Sequence, residues 1–241
     1  MPQAKPVRPD GNAILSSVGD SRFQSFLTSL RPVELESGTV VASANEPCNE
    51  VLFPVTGVLS IMTVLDDGAR VGSGIVGNEG FAPLAAFHGA DQTPEQIEVH
   101  VPGLFLRMST PLFQQAVTAF PELRSRMHLF SQYLFSSVAH TSGCDRRHGV
   151  KERCARLLLH THDRAPDDEF ALTHERLATC LGVRRASITV AADELRKAGA
   201  IDYRRGFIRV ADRNALIGAC CGCYLALRET EQRILRRSLA S

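Results

Sequence analysis

The stretch from Leu172 to Val190 constrains the fold of this chain more than any other segment, because its pattern predicts two short helices joined by a tight turn. Thr173 is a residue type that caps helix N-termini. Apolar residues then recur at helical spacing: Leu177, Ala178 and Leu181. Gly182 allows the sharp turn, and a second helix with its own apolar face follows: Ile188, Ala191 and Leu195. The segment therefore predicts a helix-turn-helix.

The polar residues of the second helix are left to project outward near its N-terminus: Arg184, Arg185, Ser187 and Thr189. In a helix-turn-helix this end of the second helix lies against base edges in the major groove of DNA. We expect Thr173 and His174, at the start of the first helix, to contact DNA as well. The alternative interpretation is a small buried helical hairpin whose arginines are solvated.

A basic hairpin is predicted directly after the two helices. Gly199 ends the second helix, and two apolar-rich runs, residues 201–203 and 207–210, flank the tip Arg204-Arg205-Gly206. A hairpin in this position is the wing of a winged helix, whose arginines meet phosphate beside the groove. We therefore add Arg204 and Arg205 to the predicted DNA-binding residues.

The charges are divided unevenly between the two halves of the chain. Over 241 residues, 27 lysines and arginines nearly balance 26 aspartates and glutamates. Residues 1–142, however, hold 8 basic and 13 acidic side chains, whereas residues 143–241 hold 19 and 13. A half with a net charge of +6 suits a polyanion, because neutralising phosphates releases counterions. The acidic half, with a net charge of −5, is expected to have a function other than binding a polyanion.

Length and composition suit two globular domains, each large enough for its own core. No apolar run approaches the roughly 20 residues that span a bilayer, and the N-terminus lacks the apolar core of a secretion signal. We therefore expect a cytoplasmic protein without a membrane partner. Its seven cysteines are expected to be reduced thiols rather than a disulfide framework.

From about Val33 to Arg107 the chain is a series of short β-type runs. They cover residues 40–42, 51–55, 58–65, 71–76, 97–101 and 104–106. The turns between them are rich in glycine, which bends the backbone or accepts positive φ. Many short strands with glycine turns predict a barrel or a rolled sandwich.

After Pro111 the periodicity becomes helical, and one helix, about 39 Å long, is predicted from about Pro121 to Arg146. An apolar stripe runs along it: Leu123, Met127, Phe130, Leu134 and Val138. Because such a helix is too long to pack only against a small roll, we expect this stripe to form a dimer interface with a second copy. The alternative, packing within one chain, suits the N-terminal half of the helix. A further helix is predicted from Val150 to Arg164, after a hinge at Gly149.

Five stretches carry a family likeness: residues 52–60 (LFPVTGVLS), 67–68 (DG), 76–81 (VGNEGF), 150–158 (VKERCARLL) and 172–190. Together with the order of the parts, they resemble the Crp/Fnr superfamily of bacterial transcription regulators over nearly the whole chain, in particular atypical members without the full cyclic-AMP signature. The resemblance implies a homodimer that binds a palindromic operator and works with RNA polymerase. It also implies a roll that senses an effector and a hinge that transmits the signal.

The implied fold is α+β and has three parts. Residues 1–120 are expected to form a cyclic-nucleotide-binding-like β-roll (jelly roll). Residues 121–149 are expected to form the dimerisation helix and the hinge. A winged helix-turn-helix is expected over residues 150–241.

One departure from the family pattern concerns the effector. In relatives that bind cyclic AMP, the phosphate-binding segment has Gly-Glu near its start and Arg-Ser near its end. Here the start is matched by the predicted effector pocket, which consists of Gly77, Asn78, Glu79, Gly80 and Phe81. Residues 89–97, however, contain no arginine or lysine. A buried phosphate without a cation is poorly compensated, so we do not expect cyclic AMP to bind, and the effector stays unidentified.

A second departure lies in the predicted reading helix. Relatives commonly begin this helix with Arg-Glu, in which arginine reads guanine and glutamate reads cytosine, whereas this chain has Arg185 and Ala186. Arg185 can still bind guanine O6 and N7, and Ala186 is placed to meet a thymine methyl. A later family arginine falls at Val190. The operator is therefore expected to differ from the well-known one.

Cys220, Cys221 and Cys223 invite a metal or iron-sulfur interpretation, but we expect small apolar residues on a C-terminal helix. A metal needs about four converging ligands, and the segment before Cys48 supplies no cysteine. No metal or cofactor is therefore predicted, and no arrangement of residues predicts catalysis. Two alternatives stay open: a cysteine-based redox sensor, and a nucleotide-binding regulatory subunit that acts through protein partners rather than DNA.

Overall fold

The computed structural model describes residues 11–236, which form a β-roll, a long helix and a winged helix in that order. The roll contains nine strands: β1 (Arg31–Leu35), β2 (Val40–Ala42), β3 (Glu46–Pro47), β4 (Glu50–Pro54), β5 (Val58–Val64), β6 (Arg70–Val76), β7 (Gln92–Thr93), β8 (Gln96–Val101) and β9 (Gly103–Ser109). The helices of this half are α1 (Ala13–Ser16), α2 (Ser21–Leu27), α3 (Ala85–His88), α4 (Thr110–Ala119) and α5 (Pro121–Arg147). No helix in the described residues is long and apolar enough to cross a membrane.

The strands of the roll pair antiparallel in three sheets. One sheet has the order β1-β9-β4, the second β2-β8-β5-β6, and the third is the pair β3-β7. The core between them is rich in phenylalanine, and several rings are almost fully buried: Phe53, Phe81, Phe105 and Phe113. Each run of β-type sequence predicted above is a strand, and the predicted rolled architecture is confirmed.

The helix predicted from Pro121 is confirmed as α5, but its apolar stripe is covered differently from the prediction. Four of the five stripe residues are buried in the roll core of the same chain: Leu123, Met127, Phe130 and Leu134. Gly80 allows this packing, since a Cβ at that position would collide with the Phe130 ring. Val138, the fifth, is partly buried at the edge of this core. The stripe is therefore not left for a second copy, because the roll curves around α5 and takes it as its own core.

The C-terminal half begins with α6 (Val150–His162), after a break at Gly149. The elements that follow are β10 (Glu169–Ala171), α7 (His174–Leu181), α8 (Arg185–Lys197), β11 (Ile201–Arg204), β12 (Phe207–Val210), α9 (Arg213–Gly218) and α10 (Cys223–Glu231). Strand β10 completes a sheet of order β10-β12-β11. A π-helical turn, Gln232–Arg236, ends the described chain, and its Ile234 and Leu235 pack against the roll core.

The winged helix is docked on the roll through α7, which packs against β6. Gly72 in β6 permits the close approach, because a Cβ there would strike the backbone of Cys180. Arg176 donates from Nη2 to Glu98 Oε1 over 3.1 Å and to the Val99 carbonyl over 2.7 Å. The two halves therefore share polar contacts as well as apolar ones.

Candidate nucleic-acid interface and effector pocket

The helix-turn-helix is built by short-range interactions. The Thr173 hydroxyl accepts a hydrogen bond from the Arg176 backbone N–H over 3.2 Å and so caps α7, as the sequence predicts. Gly182 adopts the left-handed conformation with a φ of 62° between α7 and α8. The predicted inward residues of both helices are buried: Leu177, Ala178, Leu181, Ile188, Ala191 and Leu195. This packing rigidly fixes the start of α8 on the protein surface.

The N-terminal end of α8 presents an exposed face. Arg184 is its N-cap residue, and Arg184, Arg185 and Thr189 are all exposed, while Ser187 is partly buried. Val190, one helical turn after Ala186, is 60% exposed. Its side chain offers exposed methyl groups, which are the kind of surface that recognises a thymine methyl.

His174 joins this face to the wing. Its ring stacks on Tyr203 of β11 with centroids 4.1 Å apart, and its Nδ1 lies 3.4 Å from Thr189 Oγ1. Burial, reinforced by the nearby charge of Arg185, lowers the pKa of His174, so the ring is neutral near pH 7. Tyr203 was not identified from sequence, because its role depends on a histidine 29 residues away.

The wing is a two-residue turn between β11 and β12. Arg205 occupies the turn with a φ of 51°, in the left-handed region, and Gly206 follows with a φ of 88°. Arg204 and Arg205 are exposed, as expected, and Arg209 of β12 is a further exposed arginine that the sequence reasoning omitted. The hairpin therefore carries at least three exposed arginines.

The predicted effector pocket, residues 77–81, is open only in part, because Asn78 and Glu79 line a cavity of about 540 Å³ whereas the other three residues are buried. Phe81 is fully buried in the roll core. Glu79 accepts a hydrogen bond from Arg164 Nε over 2.7 Å and one from the Gly77 backbone N–H over 3.2 Å. Glu79 therefore caps the turn at Gly77 and also pairs with an arginine from the other half of the chain.

Arg164 is the centre of a buried polar cluster. Its Nη2 donates to the Tyr133 hydroxyl over 2.9 Å and lies 3.5 Å from Glu231 Oε2, while its Nη1 donates to the His160 carbonyl over 3.1 Å. Burial opposes the charge of Arg164, but the neighbouring Glu79, Tyr133 and Glu231 outweigh burial and raise its pKa. The cluster joins the roll, α5, α6 and the C-terminal segment.

A separate cavity of about 360 Å³ lies between the roll and α5. Its polar lining includes His88, Thr93, Glu95 and Ser131, and no lysine or arginine is among its described lining residues. Two arginines of the roll lie outside this cavity and are paired with carboxylates: Arg70 with Glu98, and Arg107 with Glu50.

The C-terminal cysteines are also placed differently from the sequence interpretation. Of the three, only Cys223 lies within α10, at its first position, and Cys220 and Cys221 precede the helix. Cys221 and Cys223 lie beside Cys144 and His148, at the end of α5. The sequence offered only a weak signal for this meeting, namely a cysteine and a histidine that are four residues apart near the end of one predicted helix.

This chain is similar to known proteins in the sequence of one domain and in its fold. Residues 152–218 match the Crp-like helix-turn-helix domain. FixK2 from Bradyrhizobium japonicum has a similar structure, with a TM-score of 0.65, 15% identity, and coverage of 80% of this chain and 98% of that chain. A CRP/FNR-family transcriptional regulator from Thermus thermophilus has a TM-score of 0.63 at 19% identity, with coverage of 78% of this chain and 97% of that chain. No curated protein matches the sequence.

The c-di-GMP-responsive global regulator CLP from Xanthomonas campestris is also similar, with a TM-score of 0.61 at 16% identity over 78% of this chain and 97% of that chain. Residues 152–218 are therefore a Crp-like helix-turn-helix domain. The expected resemblance to the Crp/Fnr superfamily is confirmed by the matched domain, and these regulators share their fold with about 80% of this chain.

Proposed function

We propose that this protein is a sequence-specific DNA-binding transcription regulator. The observation that carries the proposal is the exposed face at the start of α8, where Arg184 and Arg185 project from a Crp-like helix-turn-helix domain. This end of the second helix is the part that reads base edges in such domains. The remaining residues to which we assign DNA contact are Thr173, His174, Ser187, Thr189, Arg204 and Arg205.

The two groups of arginines have different roles in this proposal. Arg185 binds guanine O6 and N7 in the major groove, and Ala186 and Val190 provide methyl contacts to thymine. Arg204 and Arg205 neutralise phosphates beside the groove and contribute affinity for any duplex. The net charge of +6 over residues 143–241 supports this division.

The protein acts as a homodimer on a palindromic operator, with RNA polymerase as a further partner. The dimer face is the side of α5 that the roll leaves uncovered, where Phe135 is 71% exposed. Leu65, 45% exposed at the tip of the β5–β6 hairpin, lines one surface depression together with Val138 of α5. Two copies that bury this face present two α8 helices to successive half-sites.

The effector binds in the cavity between the roll and α5. Glu95 and His88 line this cavity without a lysine or arginine among the described residues, so it suits a neutral or cationic molecule better than a phosphate ester. The ion pairs Arg164–Glu79 and Arg176–Glu98 connect the roll to the winged helix and provide the route by which the effector changes DNA affinity.

Selection from a pool of random duplexes tests the proposal directly. We expect enrichment of an inverted repeat, with an affinity that falls steeply as salt concentration rises. The double variant Arg184→Ala/Arg185→Ala is the matched control and should retain only weak, sequence-independent binding. Selection with and without cell extract shows whether an effector is required. Absence of salt-dependent duplex binding in both conditions would instead favour a regulatory subunit that acts on protein partners.

A further inference from the structure

Four metal-binding side chains converge where α5 ends and α10 begins. Cys144 and His148 are one helical turn apart at the end of α5, and Cys221 and Cys223 flank the N-cap residue of α10. Cys144 Sγ lies 3.6 Å from Cys221 Sγ, and Cys223 Sγ lies 3.7 Å from His148 Nδ1. All four candidate ligand atoms lie within 4.8 Å of one another.

These distances fit one tetrahedral ion. Zinc stands about 2.3 Å from thiolate sulfur and about 2.0–2.1 Å from imidazole nitrogen, so its ligands are roughly 3.5–3.8 Å apart. The Cys144–Cys221 and Cys223–His148 pairs already have that spacing, and the others need side-chain shifts of roughly 1 Å at most. An iron-sulfur cluster distributes its cysteines over separate irons and needs a wider set of ligands.

We propose that Cys144, His148, Cys221 and Cys223 bind a single zinc ion, an assignment that goes beyond the proposed DNA-binding function. On binding, each of the three thiols loses its proton to solvent, and the imidazole coordinates in its neutral form through Nδ1. Three thiolates and a divalent ion leave one net negative charge at the site. No electron is transferred in this step.

The surroundings suit such a site. Arg156 is buried, and its charge opposes the rise in the pKa of Cys144 and Cys223 that burial causes. Arg156 Nε has no hydrogen-bond partner among the described residues. Asp145 and Thr141 hold the rest of the guanidinium group in place. A fixed cation beside the cysteines offsets the remaining negative charge of a three-thiolate zinc site.

The position of the site gives the ion a structural role. His148 is the C-cap residue of α5, directly before the Gly149 break, and α10 packs against both α5 and α6. A zinc ion here ties the C-terminal segment to the end of the long helix across that break. Metal binding is therefore expected to stabilise this arrangement of α5, α6 and α10.

The test uses the full-length, tag-free chain, purified anaerobically under reducing conditions from zinc-supplemented cells. Elemental analysis should find about one zinc per chain. Replacement of zinc by Co²⁺ should give the visible absorption of a tetrahedral ion together with thiolate-to-cobalt charge transfer. His148→Gln and Cys223→Ser change partly exposed residues. Each should weaken zinc affinity by at least about tenfold in a chelator competition while keeping the circular dichroism of the folded chain.

Cys220→Ser is the matched control, because this cysteine adjoins Cys221 but lies outside the four-residue set. It should keep both the zinc and the cobalt spectrum. The proposal fails if the purified chain neither contains zinc nor gives a cobalt spectrum on titration. It also fails if His148→Gln and Cys223→Ser retain full affinity for zinc.

Discussion

Arg164 donates a hydrogen bond from its Nε to Glu79 Oε1 over 2.7 Å, and this ion pair joins the segment after α6 to the turn after β6. Both side chains are largely buried, with 4% of the arginine and 11% of the glutamate exposed. The carboxylate that resembles a ligand-binding group in the sequence is therefore an internal partner of the winged-helix half. Its electrostatic role is to compensate a buried guanidinium.

Removal of this carboxylate should destabilise the protein. Glu79→Gln leaves Arg164 buried with Glu231 as its remaining carboxylate, and we expect a loss of about 3 kcal/mol in the free energy of unfolding, the lower end for a broken buried pair. Urea denaturation measures the loss. Glu46→Gln, at an exposed position of β3, is the control and should change stability by less than about 0.5 kcal/mol. An unchanged midpoint for Glu79→Gln would show that the pair contributes nothing.

Mutations should distinguish the arginine that reads a base from an arginine that contacts phosphate. Arg185→Ala should remove about 1–3 kcal/mol of discrimination at one base pair of each half-site, because a bidentate contact to guanine is lost. Arg204→Ala should instead weaken all duplexes alike and reduce the slope of log affinity against log salt by about 1. Binding titrations on the selected operator, its single-base variants and random DNA provide the measurement. Equal losses on all three DNAs for Arg185→Ala would reject the reading role.

The oligomeric state should depend on the uncovered face of α5. Phe135→Asp places a charge where the proposed dimer buries an aromatic ring, so we expect light scattering to give the mass of one chain. Leu225→Asp, at a position of α10 that is 53% exposed, is the control and should leave the dimer intact. A Phe135→Asp protein that stays dimeric and binds operator would place the interface elsewhere.

Phe130→Asp should behave differently from Phe135→Asp. Phe130 is fully buried beside Phe81, with ring centroids 5.5 Å apart. An unpaired carboxylate there should unfold the roll rather than merely dissociate a dimer. Circular dichroism distinguishes the outcomes, and a folded monomer would contradict the observed burial.

Stability should fall in mild acid because of a buried neutral histidine. Burial, with a smaller effect from Arg176, lowers the pKa of His100 to about 3, below the 6.5 expected when the chain is unfolded. The unfolded state therefore binds the extra proton between pH 6.5 and about 3, so stability is full above this window and is lost as pH falls through it. Within this pH window, the titration of His100 lowers the free energy of unfolding by at most about 1.4 kcal/mol for each pH unit.

His100→Gln should reduce this pH dependence, since the replaced group no longer titrates. Its hydrogen bond to Thr161, 3.1 Å in the native chain, is one that glutamine can reproduce. Denaturation midpoints at pH 7 and pH 5 give the comparison, with His128→Gln at an exposed position of α5 as the control. Identical pH dependence in the native and His100→Gln proteins would exclude His100 as a cause.

Cyclic AMP should leave the melting temperature nearly unchanged. The cavity between the roll and α5 has no lysine or arginine among its described lining residues, and its Glu95 opposes a phosphate. A ligand at 100 times its dissociation constant would stabilise the native state by about 2.7 kcal/mol, which a thermal scan detects readily. A clear shift at micromolar cyclic AMP would overturn this prediction and reveal a cation that reaches the site.

Local sequence patterns are sufficient to predict most elements of secondary structure. The strands of the roll, α5, α7, α8 and the wing all follow from periodicity, glycine turns and the Thr173 cap, which act over a few residues. The exposure of Arg184 and Arg185 followed as well, because the apolar residues of α8 select the opposite face for burial. The sequence was sufficient to predict the structure wherever a residue's environment depends on its neighbours along the chain.

Tertiary structure decided which surfaces meet. The periodic stripe on α5 indicated that one face is buried, but it carried no information on whether the roll or a second copy buries it. The pairing of Glu79 with Arg164, 85 residues apart, depends on the docking of the two halves. The meeting of Cys144 with Cys221, 77 residues apart, depends on the return of α10 to α5. Periodicity reports which face is apolar, and only the folded chain specifies what lies against it.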